Sequence, residues 1–138
     1  MKFDRRSLQR YFLTLIVGGS GVLHFAVPGV YRRIVPDVLD HKHAVVLASG
    51  AAEIVCAVMM TIPRTRRAGG WLTAALLVAV WPANLQQALV GPRYSADGPF
   101  SSTVFPWLRL PLQVPLILLA LQTATEDVDD AGTRRVSR

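Results

Sequence analysis

VVLASGAAEIVCAVMMTI (residues 45–62) and WLTAALLVAV (71–80) decide how this chain folds. Glu53 is the one charged residue in the first stretch, and the second has none. Wound as helices, both are apolar around the whole circumference. A helix of a soluble bundle keeps a polar face opposite its apolar stripe. These have no wet face, so their solvent is lipid.

The same property recurs on either side. Residues 11–28, 44–62, 68–90 and 107–123 are nearly free of charge and run to 18, 19, 23 and 17 residues. Crossing a hydrocarbon core of about 30 Å takes about 20 apolar residues, with 17–25 tolerated. The expected fold is all-α, a four-helix transmembrane bundle within 11–123. Composition agrees: charged residues are 17% of the 138, below the usual figure of about 25%. Hydrophobic residues at 51% exclude a disordered chain. Cys56, alone, excludes a disulfide scaffold, a CxxC redox pair and a cysteine-built zinc or iron–sulfur site.

Between the spans the chemistry changes. MKFDRRSLQR (1–10) is basic, and the long run after it has no small-x-small cleavage site before Tyr31-Arg32-Arg33, so it reads as an uncleaved first span. PGVYRRIVPDVLDHKH (28–43) suits a short interfacial helix or turn, with Tyr31 at headgroup depth. IPRTRRAGG (62–70) is a tight basic connection, and residues 91–107 form the longest loop. Residues 124–138 read as a disordered cytoplasmic tail.

Orientation follows from the distribution of Lys and Arg. One side carries ten: Lys2, Arg5, Arg6, Arg10, Arg64, Arg66, Arg67, Arg134, Arg135 and Arg138. The other carries four: Arg32, Arg33, Lys42 and Arg93. The richer side is cytoplasmic, so both termini are expected there, in a multi-pass protein of the inner (plasma) membrane. Because the basic residues flank spans, the net charge of +6 has a topological cause and no nucleic-acid partner is expected.

Few polar residues interrupt the spans: His24, Glu53, Asn84, Arg109 and Gln113. Counted from the span ends at about 1.5 Å per residue, all five fall in the outer half of the bilayer. Charged side chains inside a membrane are costly and face a partner or a cavity. Glu53 and Arg109 are the natural ion pair, because the guanidinium fork matches a carboxylate. His24 has two candidate partners, the carboxylate and Asn84. Two readings of this cluster stand open. One is glue that holds the helices in register, at about 0.6 kcal/mol per hydrogen bond. The other is a ligand site for a polar headgroup or quinone ring, or a proton path.

Pro82, Pro111 and Pro115 bear on the site, since an interior proline removes a backbone bond and kinks a helix. Pro111 also fits the first turn of the last span, where proline is tolerated. Ala48, Ser49, Gly50, Ala51 and Ala52 allow a second helix to approach closely. Cys56, Met59 and Met60 read as filler, and His41 and His43 as solvated loop residues rather than metal ligands. No Ser–His–Asp set, phosphate loop or HExxH pattern occurs, so no catalytic or metal residue is assigned.

GVLHFAVPGVYRRIVP (21–36), SGAAEIVCAVMMTIPRTRR (49–67), WPANLQQAL (81–89) and LRLPLQ (108–113) together resemble the DoxX-like family of small bacterial integral membrane proteins, over residues 11–122. The resemblance implies a four-helix transmembrane fold. It places the family's recurrent polar positions at His24, Glu53, Asn84, Arg109 and Gln113. Relatives are associated with quinone-linked sulfur oxidation and with membrane complexes that manage oxidative and thiol stress, and distant animal relatives look like receptor assembly chaperones. With one cysteine and no haem, flavin or iron–sulfur ligands, the chain reads as an accessory subunit rather than an autonomous enzyme. Quinone is then the implied cofactor, with membrane lipid and redox-complex proteins as partners. The alternatives are a non-catalytic assembly factor or chaperone, and a small transporter or proton-coupled channel.

Overall fold

A backbone that runs through lipid must satisfy its polar groups within its own segment, and the α-helix does so. The computed structural model describes residues 4–90 and 104–126, and these are helical with no strand among them. The elements are α1 (Arg5–Ala26), α2 (Pro28–Arg32), α3 (Lys42–Thr61), α4 (Arg66–Val90) and α5 (Val104–Thr125). Three of them are long and apolar enough to cross a membrane: Lys42–Thr61, Arg66–Leu89 and Val104–Thr125. Only 33%, 28% and 17% of their apolar windows is buried inside the molecule, so most of that surface looks outward. Leu15, Val58, Trp71, Leu112 and Leu118 are all more than half exposed. Water would penalise so continuous an apolar exterior.

Local chemistry sets the joints. Pro28 opens α2 at a position where its missing N–H is no loss. His41 adopts a left-handed conformation (φ 58°) that turns the chain into α3, and Lys42 pairs with Asp37 beside it. At the opposite end of α3 the Thr65 hydroxyl donates to the Met59 carbonyl at 2.9 Å, closing the short link to α4.

Packing is uneven around the bundle. α1 lies along α3, α4 lies along α5, α3 touches α4, and α1 and α5 meet only sparingly. Glycine makes the first of these contacts close: a Cβ on Gly50 would stand 2.5 Å from the His24 Cβ, and one on Gly21 would stand 2.8 Å from the Gly50 carbonyl oxygen. Gly70 does the same for α4 and α5, where a Cβ would meet the Ala124 nitrogen at 2.5 Å. Leu13, Val17, Met60, Ala74 and Ala120 form the core at one end, and Tyr31, Val35 and Val46 form a smaller one at the other.

Several boundaries differ from those expected. α1 starts at Arg5 rather than 11, α4 at Arg66 rather than 68, and α5 covers Val104–Thr125 rather than 107–123. Arginine is a good helix former, so a helix continues past the apolar stretch that identifies it. The tail expected from 124 is corrected at its beginning: Ala124 and Thr125 are helical, and Glu126 is ion-paired. Because α5 begins at Val104, Pro111 is interior to it, as Pro82 is to α4 and Pro115 to α5. Lys2, Arg93, the loop over 91–103 and the tail over 127–138 lie outside the described residues.

Candidate functional site

The sparse contact between α1 and α5 leaves a cavity of about 700 Å³ between the helices. Its two ends differ. Phe12, Ile16, Val17, Leu76, Leu116 and Leu119 make one end apolar. Ser20, Tyr31, Glu53, Asn84, Arg109 and Gln113 gather at the other. Phe12 and Leu23 of α1 and Leu108 and Leu112 of α5 line the space while remaining exposed on the surface. The mouth is therefore a lateral gap with apolar lips, facing the direction in which the helices present apolar side chains.

Each polar side chain is positioned by its own helix. Ser20 and His24, four apart, share the face of α1 that the Gly21–Gly50 crossing presses against α3. His24 is buried, and its Nδ1 lies 2.8 Å from the Ser20 carbonyl oxygen, an acceptor, which places the proton on Nδ1. The same nitrogen is 3.5 Å from Oε2 of Glu53. Since its one hydrogen is directed at Ser20, that carboxylate oxygen is left buried with no hydrogen-bond partner. Ser20 lines the cavity with Glu53 and Tyr31. Arg109 acts on Glu53 and Tyr31 through its charge. Among the described residues, however, the close contact of Glu53 is with His24, an ion pair only when the imidazole is protonated, and not the Arg109 salt bridge expected from sequence. A carboxylate on α3 is brought to α1 by the glycine crossing, while the cavity stands between α1 and α5.

Asn84 and Gln113 behave differently. Asn84 Nδ2 donates to Gln113 Oε1 at 2.9 Å, and Gln113 Nε2 donates to the Leu77 carbonyl. Leu77 lies in the turn where Pro82 withholds a backbone donor from Val78. Both amides are buried and tie α4 to α5. His24 does not reach Asn84 in this arrangement; its partners are Ser20, Glu53 and Tyr31.

Sequence reasoning missed four features. Tyr31 is buried: its ring stacks on His24 with centroids 3.8 Å apart, because α2 folds back over the end of α1. Burial holds its hydroxyl above the ordinary tyrosine value, against the opposing pull of the Arg109 guanidinium. Ser20 is a small residue that composition does not single out; its place one turn before His24 is the signal of a shared face. Gln87 lines the cavity, and its Oε1 is buried without a partner. At the far end, Arg10 is buried against Glu126 at 2.5 Å, and Arg66 stands 3.7 Å from the same oxygen. Nothing in the local sequence pairs residues at opposite ends of the chain.

These features define an all-helical protein with membrane-length helices around an amphipathic cavity. More particularly, the chain belongs to DUF8561, a family described as a domain of unknown function, which it matches over residues 13–124. No curated protein and no solved structure matches it.

Proposed function

We propose that this protein is a four-helix membrane bundle that holds a lipid-soluble amphiphile, a quinone or a lipid, and serves as an accessory subunit of a membrane redox or thiol-stress complex. The observation that carries the reading is the cavity itself, apolar at one end, polar at the other and bordered by exposed apolar side chains between α1 and α5. Its volume of about 700 Å³ lies within the roughly 300–1,000 Å³ of small-molecule sites. α1 is the fourth span in this reading, since Phe12, Leu15, Val22 and Phe25 are exposed along it. Both termini are cytoplasmic, by the basic residues at Arg5, Arg6, Arg64 and Arg67. The resemblance to DoxX-like proteins supports the redox setting.

Asn84 and Gln113, bonded to each other and to the Leu77 carbonyl, favour a structural role for those two residues; Glu53 and Arg109 favour a ligand. The carboxylate therefore separates an accessory subunit from an assembly factor. Organic extracts of the detergent-purified protein should contain a lipid-soluble molecule in near-stoichiometric amount. The double variant Leu76→Trp/Leu112→Trp, which narrows the cavity and its mouth, should lose it at unchanged abundance. In cells, Glu53→Gln should leave abundance intact and lower tolerance to peroxide or thiol oxidants. Empty extracts together with unchanged tolerance refute the proposal. Loss of abundance alone favours the assembly-factor reading.

A further inference from the structure

The polar end of the cavity offers a particular set of unmet bonds. Glu53 Oε2 and Gln87 Oε1 are acceptors with no partner, and both side chains line the cavity. The last torsion of Glu and Gln is broad, so a small rotation turns either oxygen toward an occupant. Arg109, a donor only, lines the same cavity and acts on Tyr31 and Glu53 through its charge. With the His24 imidazole neutral, one guanidinium faces one carboxyl, which leaves no net positive charge to hold an anion. A negative head would also set like charges together in a dry site. The apolar end adjoins about 16 Å of α1 between Phe12 and Leu23, room for a single chain.

Resting on the amphiphile-binding reading above, we infer that the occupant is a single-chain amphiphile with a neutral, hydroxyl-bearing head. Its hydroxyls donate to Glu53 and Gln87, and one of its oxygens accepts from Arg109. A head without hydrogen to donate leaves two buried acceptors unpaired, which disfavours an alkyl sulfonate as well as an ordinary hydrocarbon.

The experiment compares monooleoylglycerol with octadecanesulfonate on the purified full-length protein in non-ionic micelles, reading binding by native mass spectrometry and by the rise in melting temperature. Monooleoylglycerol should bind about tenfold more tightly, the worth of one hydrogen bond to a charged group. Gln87→Leu, which deletes the neutral acceptor, should remove a smaller part of that advantage without changing sulfonate binding. Glu53→Gln should shift preference toward the sulfonate. Equal or tighter sulfonate binding by the unaltered protein overturns the neutral-head inference while sparing the amphiphile reading. If neither probe is retained beyond a protein-free micelle, the amphiphile reading falls as well. The comparison on the unaltered protein stands even where a variant fails to fold.

Discussion

Replacing Gly50 by alanine tests the contact on which the site is built. The new Cβ would stand 2.5 Å from the His24 Cβ, 3.0 Å from the Gly21 carbonyl oxygen and 3.2 Å from the His24 Cγ. Carbon atoms pack at about 3.5–4.0 Å, so α1 and α3 must separate by about 1 Å at this crossing. Neither obstacle is the free end of a flexible chain; the His24 Cβ is fixed to its backbone. A gap of that size forfeits up to about half of the dispersion well for neighbouring pairs. Overpacking of this kind costs about 1–3 kcal/mol. Glycine-to-alanine exchange inside a helix itself stabilises by about 1 kcal/mol, which would obscure the effect in a single variant. Gly19→Ala supplies the reference, since a Cβ there meets nothing within 4 Å. The difference between the two variants should therefore be about 1–3 kcal/mol, with Gly50→Ala the less stable. Gly18→Ala, whose Cβ would meet the Ala57 Cβ at 3.2 Å, should fall between them. Unfolding in mixed micelles by increasing SDS, followed by circular dichroism, reads all three. If Gly50→Ala proved as stable as Gly19→Ala, the close crossing of α1 and α3, and with it the placement of Glu53 beside His24, would be refuted.

A double-mutant cycle on Asn84→Ala and Gln113→Ala should give a coupling of about 0.6 kcal/mol and no more than about 1.7, the range for hydrogen bonds between membrane helices; zero coupling would deny the α4–α5 brace. Glu126→Gln leaves the buried Arg10 without its carboxylate, and the melting temperature should fall well below that of Asp37→Asn, whose Lys42 pair is solvent-exposed. Equal melting temperatures would contradict that ranking. In a Cys56→Ser background, a membrane-impermeant thiol reagent added to whole cells should label Asp40→Cys and spare Ser7→Cys; the opposite pattern would invert the topology.

Residues 45–62 and 71–80 carry their environment in their composition. With no polar face, each has to be a helix surrounded by apolar matter wherever it packs; of the four spans expected, those at 44–62, 68–90 and 107–123 correspond to helices long and apolar enough to cross a membrane. The same scarcity of polar residues singles out His24, Glu53, Asn84, Arg109 and Gln113, because in lipid an isolated charge is costly irrespective of neighbours. Partnership is another matter. Spacing along a helix gives depth and face, but which faces meet depends on how closely two backbones approach, and that was decided by Gly21 and Gly50 pressing α1 onto α3. Their contact gave Glu53 to His24, turned Tyr31 inward and left Arg109 across an open space. The pairing of Arg10 with Glu126 joins residues 116 positions apart, a separation no periodicity encodes. Solvation by lipid acts on each helix by itself and is written residue by residue. The cavity exists only where α1 and α5 fail to meet, a property of the assembled helices and of no single one.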